Sequence, residues 1–166
     1  SLASCILIYG VSLVYVSFSV FSVYNFALGI AYVGPDSVPL TTSIGVLLIF
    51  IGLLFKIAAA PFQSWAPDVY QGSPTGYVGF MSSIAKVSSF IVIARLCLVS
   101  INFIIEDFNT FFLIVIISSA LIGSLFASIQ EDLKRLLAYS GVVQSGFILS
   151  GIVSGINCLL YTSDAA

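Results

Sequence analysis

The chain has 166 residues, of which 60% are apolar and only 7% charged. Soluble domains carry about 25% charged residues, so this composition cannot build a water-facing surface and the exterior must face lipid. The net charge is −2 and the five basic residues form no patch, which excludes nucleic acid as an expected partner.

A spanning helix needs about 20 mostly apolar residues, and the chain offers about five such runs. The first starts at Leu2 and extends to about Ala31, spanning in its first two-thirds, before a loop at Gly34-Pro35-Asp36. The second runs from Thr42 to about Ala60 and is interrupted at its end by Pro61. A turn-rich connection follows, with Trp65-Ala66-Pro67-Asp68 and Gln71-Gly72-Ser73-Pro74. The third runs from about Tyr77 to Val99, up to a break at Glu106-Asp107. The fourth covers about Thr110 to Ile129 and leads into the charged stretch Gln130 to Arg135. The fifth covers about Leu136 to Leu160, and residues 161–166 form a short polar tail. The runs are too long and too uniformly apolar for barrel strands. The predicted fold is therefore an all-α integral membrane module over residues 1–160. Ser1 already lies in apolar sequence with no signal-peptide pattern, so the chain reads as the interior of a longer protein.

Lys134 and Arg135 place the second and fourth connections on the positive, inner side of the membrane. The cysteines, Cys5, Cys97 and Cys158, lie in or beside apolar runs without metal-ligand spacing and read as buried free thiols. No metal site is expected.

Lys56 and Lys86 stand inside or at the end of apolar runs. A lysine at mid-membrane costs about 2.5–3.5 kcal/mol on the insertion scale and usually faces a bundle interior or water. Ser82, Ser83 and Ser89 lie at helical spacing from Lys86 and make one polar stripe with it. Two readings stand side by side. The lysines snorkel or pair as structural glue, or they handle ions. A lysine withdrawn from water can gain and lose its proton as a neighbouring charge changes, which is the behaviour of a relay. Pro61 removes a backbone donor and frees carbonyls one turn back. Broken helices of this kind line ion sites in transporters, and a simple helix end fits equally well. Ser140, Gln144 and Gly151 share roughly one face of the fifth helix, either to hold water or to join helices. Trp65, Tyr70 and Tyr77 read as interfacial anchors. There is no histidine and no nucleophile–base or phosphate-cradling pattern, so redox or hydrolytic catalysis on this chain is not expected.

The stretch from Phe55 through Lys56, Pro61 and Trp65-Ala66-Pro67-Asp68-Val69-Tyr70 to Pro74 resembles the NADH dehydrogenase subunit 2 family. These are antiporter-like, proton-pumping membrane-arm subunits of respiratory complex I. Ala85-Lys86-Val87-Ser88 looks like the family's next lysine motif, and Lys134-Arg135-Leu136-Leu137-Ala138-Tyr139-Ser140-Gly141 like a third. The resemblance implies an inverted-repeat fold, of which this chain matches about the sixth to tenth helices. It implies that Lys56 is the broken-helix lysine and Lys86 the central relay lysine. Ser82, Ser89, Ser140 and Gln144 would support the polar path, while Asp68, Lys134 and Arg135 would be structural matrix-side residues. Gln144 stands where many members carry histidine. The family's glutamate partner of Lys56 and its final lysine fall outside the chain. A companion chain or further sequence, together with other membrane-arm subunits, is thus implied. No cofactor is implied here, since NADH, FMN, iron-sulfur clusters and quinone would act elsewhere in the complex. The mitochondrial inner membrane is the first expected location, ahead of a bacterial or thylakoid membrane. The alternatives are a non-pumping remnant of the membrane arm and a subunit of a standalone cation/proton antiporter.

Overall fold

The computed structural model describes residues 2–19, 22–33 and 38–164; the side chains of residues 27, 30, 31, 33, 98–107 and 156–164 lie outside that description. Every element among the described residues is a helix, in the order α1 (Leu2–Phe18), α2 (Val23–Val33), α3 (Leu40–Ile57), α4 (Trp65–Gly72), α5 (Thr75–Phe80), a π-helical segment (Met81–Ala85), α6 (Lys86–Ile129) and α7 (Leu133–Asp164). Among the described residues, four segments are long and apolar enough to cross a membrane: Leu40–Ile57, Thr75–Cys97, Phe108–Ile129 and Leu133–Gly155. The apolar helix α1 has 17 residues, a length of about 25 Å against a hydrocarbon core of about 30 Å.

The first predicted run divides in two. Ser19 adopts a left-handed conformation (φ 54°) that ends α1, and α2 starts afresh at Val23. Ser17, Ser19 and Ser22 cluster there, and serine hydroxyls compete with the helical ladder for backbone groups. The predicted loop at Gly34-Pro35-Asp36 lies outside the described residues.

The helical assignment is unbroken from Lys86 to Ile129, yet α6 cannot be one straight rod. A straight helix would separate Lys86 from Ser119 by about 50 Å. Both instead meet α7 within five residues, at Gly141 and Gly146. The chain therefore doubles back between Cys97 and Phe108, which yields the separate third and fourth spans that the apolar pattern predicts. Glu106 and Asp107, the predicted break, have side chains outside the description.

Lipid tails are as apolar as leucine, so these helices associate through close packing rather than by escape from water. Small residues make that possible between α1 and α3. A Cβ on Gly10 would lie 2.7 Å from the Gly45 carbonyl oxygen, so the two backbones touch where both side chains are absent. The shared core joins Phe50, Leu54 and Ile57 of α3 to Phe90 and Ile93 of one α6 arm, Phe112 and Val115 of the other, and Leu149 of α7. The Phe50 and Phe112 rings meet edge to face, 5.1 Å between centroids. Ile8, Val16, Ile91, Ile114, Leu125 and Phe147 point outward. Of the described cysteines, Cys97 is buried as expected, whereas Cys5 is exposed on the outer face of α1.

Candidate functional site

Lys86 follows directly on the π-helical segment. A π turn closes i→i+5 bonds and inserts a residue into the helical register, and such turns concentrate at functional sites. Lys86 is 9% exposed, and its Nζ donates a 3.2 Å hydrogen bond to the carbonyl oxygen of Gly141 on α7. It borders a cavity of about 620 Å³ shared with Ser82, Ser83, Tyr70, Lys134, Ser140 and Gln144. Such a volume holds many waters, and its wall carries the several polar partners that each water needs. No carboxylate lines it among the described residues, so two lysines share one cavity without a counter-ion. Ser82 and Ser83 of the predicted stripe thus line the cavity. Ser89 is the departure: it is buried beside the cavity and bonds back to the Ala85 carbonyl at 2.9 Å rather than lining the space. Gly151 also lies outside the lining.

Lys56 sits differently. It lies in the last turn of α3, where its charge suits the negative end of the helix dipole, and its side chain is exposed. It does not border the Lys86 cavity. Just beyond it, Ala58 takes a left-handed conformation (φ 57°), and its N–H bonds to Phe55 O at 3.2 Å while the Ala59 N–H bonds to Leu54 O at 3.1 Å. The chain then crosses a cis Ala60–Pro61 bond. Ala58, Ala59 and Ala60 are fully buried, so their polar groups need partners inside the protein. Ser119 Oγ accepts the Ala60 N–H at 3.0 Å, and Ser118 Oγ donates to the Ala60 carbonyl at 3.3 Å. The Trp65 indole donates to Phe55 O at 3.0 Å and stacks on the Phe55 ring.

The second and fourth connections lie on the same side, as the charge pattern requires. Arg135 pairs with Asp68 at 3.3 Å and with Gln71 Oε1 at 3.3 Å, Gln71 Nε2 donates to Asp132 at 2.9 Å, and Lys134 Nζ donates to the Ser73 carbonyl at 3.1 Å. These bonds strap α4 to the start of α7. Lys134 and Arg135 thereby occupy the first turn of a helix rather than a loop. Lys134 does more than strap, because it also lines the Lys86 cavity. Of the three aromatics read as interfacial anchors, Tyr77 is exposed, while Tyr70 is 2% exposed and faces the cavity. Burial pushes the Tyr70 phenol above its usual value, so at neutral pH it is a hydrogen-bonding group without charge.

The family described as NADH:quinone oxidoreductase/Mrp antiporter, TM, matches residues 1–161. The chain belongs to that family. It is 37% identical over 154 residues to NADH-quinone oxidoreductase subunit N of Hydrogenovibrio crunogenus, covering 93% of this chain and 32% of the relative. It is likewise 37% identical over 154 residues to the chloroplastic NAD(P)H-quinone oxidoreductase subunit 2 of Mesostigma viride, covering 92% and 30%. Respiratory complex I from Thermus thermophilus with bound aureothin contains a chain of the same fold (TM-score 0.74, 30% identity, 93% of this chain and 32% of that one). A membrane-bound sulfane sulfur reductase, an archaeal respiratory membrane complex, shares the fold at 23% identity (TM-score 0.80, 92% and 31%). The chain spans about a third of the length of these antiporter-family relatives.

Within this family member, tertiary packing brings Ser82, Lys86, Lys134, Ser140 and Gln144 to one cavity and leaves Lys56, Pro61 and Ser89 outside its wall. Asp68 and Arg135 pair with each other outside that wall. Ser118 and Ser119 escaped the sequence reading, which took Tyr70 for an interfacial anchor and named Gly141 only within a motif. A serine pair inside the apolar run Phe111–Ala127 was the one signal for the first two. Among the described residues, no group of three His, Cys, Asp or Glu side chains is placed to hold a metal ion.

Proposed function

We propose that the chain is part of a proton-translocating antiporter-like subunit in the membrane arm of a complex I, with Lys86 as the group that takes up and releases the proton. The observation that supports this most directly is the burial of Lys86 beside a polar cavity whose wall offers hydroxyls, an amide and a second lysine and, among the described residues, no carboxylate. A cavity lined by Ser82, Ser83, Ser140 and Gln144 can carry a water chain to Lys86 from the side of α4, and Lys134 stands along that route.

Lys56 acts one step earlier in this scheme. Its exposed ammonium fits an acidic partner from the remainder of a subunit of the relatives' length, on the same polypeptide or on a companion chain. The driving energy would come from NADH oxidation and quinone reduction elsewhere in the complex, where its cofactors reside. The membrane is an energy-transducing one: the mitochondrial inner membrane, or a bacterial or thylakoid membrane of the kind in which the relatives act.

In assembled complex reconstituted into vesicles, Lys86→Ala is expected to lower protons pumped per NADH by about a hundredfold, the scale of a positioned proton-transfer group. Unchanged pumping in the assembled variant would remove Lys86 from the relay. The family also embraces the Mrp antiporters, so a standalone cation/proton antiporter is the second reading. Transport by native membranes that persists under a quinone-site inhibitor, with this chain migrating apart from NADH-oxidising subunits, would establish it instead.

A further inference from the structure

The contact between Lys86 and α7 depends on what Gly141 lacks. The Nζ donates to the Gly141 carbonyl oxygen at 3.2 Å. A Cβ at Gly141 would lie 2.8 Å from that same Nζ, and beyond its own stretch of helix no other heavy atom stands within 4 Å of the Cβ position. A methyl group at this position would thus press on the ammonium and on no other described atom. The carbonyl is able to accept: a helical carbonyl uses one lone pair for the N–H four residues on and keeps a second.

Rival acceptors line the same cavity. Ser82 and Ser83 both donate their hydroxyl protons to the Gly79 carbonyl, at 3.0 and 2.8 Å. Their oxygens line the cavity with lone pairs free for an ammonium or for water. The Lys86 chain is flexible and has acceptors on α7 and on the π-helical segment, and the glycine decides which it occupies at rest.

We propose that Gly141 is a positioning residue: by carrying no side chain, it docks the protonated Lys86 on its backbone carbonyl and holds the ammonium on the α7 side of the cavity, away from Ser82 and Ser83. This rests on the relay role of Lys86 given above. Departure from the carbonyl then directs the ammonium toward the π-helical segment, so Gly141 sets the direction of the lysine's movement. The other titratable groups on the same cavity are Tyr70 of α4 and Lys134 of α7, and no acid faces Lys86 from either helix among the described residues.

The test is Gly141→Ala in assembled complex, reconstituted into vesicles and assayed for pumping per NADH across pH. The methyl group evicts the ammonium from its carbonyl. A lost charge-assisted hydrogen bond corresponds to about tenfold in occupancy, so pumping is expected to fall by up to about tenfold and its pH midpoint to move by about one unit. Gly155→Ala on the same helix meets nothing within 4 Å and is expected to match wild type. If Lys86→Ala stops pumping while Gly141→Ala keeps both the wild-type rate and midpoint, the docking role is overturned and the relay stands. If Lys86→Ala pumps normally, the relay itself falls. If Gly141→Ala fails to assemble, the same change is made in a Lys86→Met background. Assembly restored there shows the defect acting through the lysine, whereas failure in both shows a packing role and refutes the proposal.

Discussion

Lys56 and Lys86 are both lysines beside interrupted helices, and the two interruptions are opposite in kind. At Lys56 the helix stops. Ala58 turns left-handed, the Ala58 and Ala59 N–H groups bond back to α3, and both polar groups of Ala60 are held by Ser118 and Ser119. At Lys86 the helix continues through a π turn, and beside it lies space rather than protein. A break satisfied by buried side chains is a rigid joint. A π turn beside a polar cavity leaves a long side chain with alternative acceptors. The first fixes the place of a charge and the second lets a charge move.

The contrast can be broken at its strong end first. Lys86→Ala carries the largest expected loss, about a hundredfold in pumping, whereas Lys56→Ala is expected to cost clearly less, because its exposed side chain stands outside the cavity. Equal losses, measured side by side in assembled complex, would erase the distinction. Next comes the joint. Ser119→Ala leaves the Ala60 N–H buried without an acceptor, and about 1–3 kcal/mol of stability is expected to go with it. Thermal unfolding of the purified complex reads this, with pumping per NADH preserved in what survives. If pumping falls while stability holds, the break is mobile and the comparison needs redrawing. Gly141→Ala, described above, sharpens the other side by moving Lys86 without removing it. Arg135→Ala should matter least. Its ion pair with Asp68 is largely exposed, 32% and 73% on the two side chains, and exposed pairs contribute about 0–1 kcal/mol. A loss of stability well above that range would show that the strap, not the cavity, holds α4 in place.

Both lysines, the proline break and the polar residues of α7 were legible in the sequence because charge and proline are costly in lipid and stand out against an apolar background. The partners that satisfy them were not. Ser118 and Ser119 sit more than fifty residues from the backbone they cap. Tyr70 passes for an interfacial aromatic until α4 folds against α7. Gly141 has no side chain to announce its role.

Composition alone determined that this chain lies in a membrane as a bundle of apolar helices, since 7% charged residues cannot clothe a soluble surface. The order of spans and the shared side of the Asp68 and Arg135 connections followed from apolar runs and two basic residues. Only tertiary structure decided that Lys86 borders a cavity and Lys56 does not. The reversal of α6 decides it, folding one arm beside α7 so that a lysine on one helix reaches a carbonyl on another, a contact that residue spacing along a single helix cannot encode.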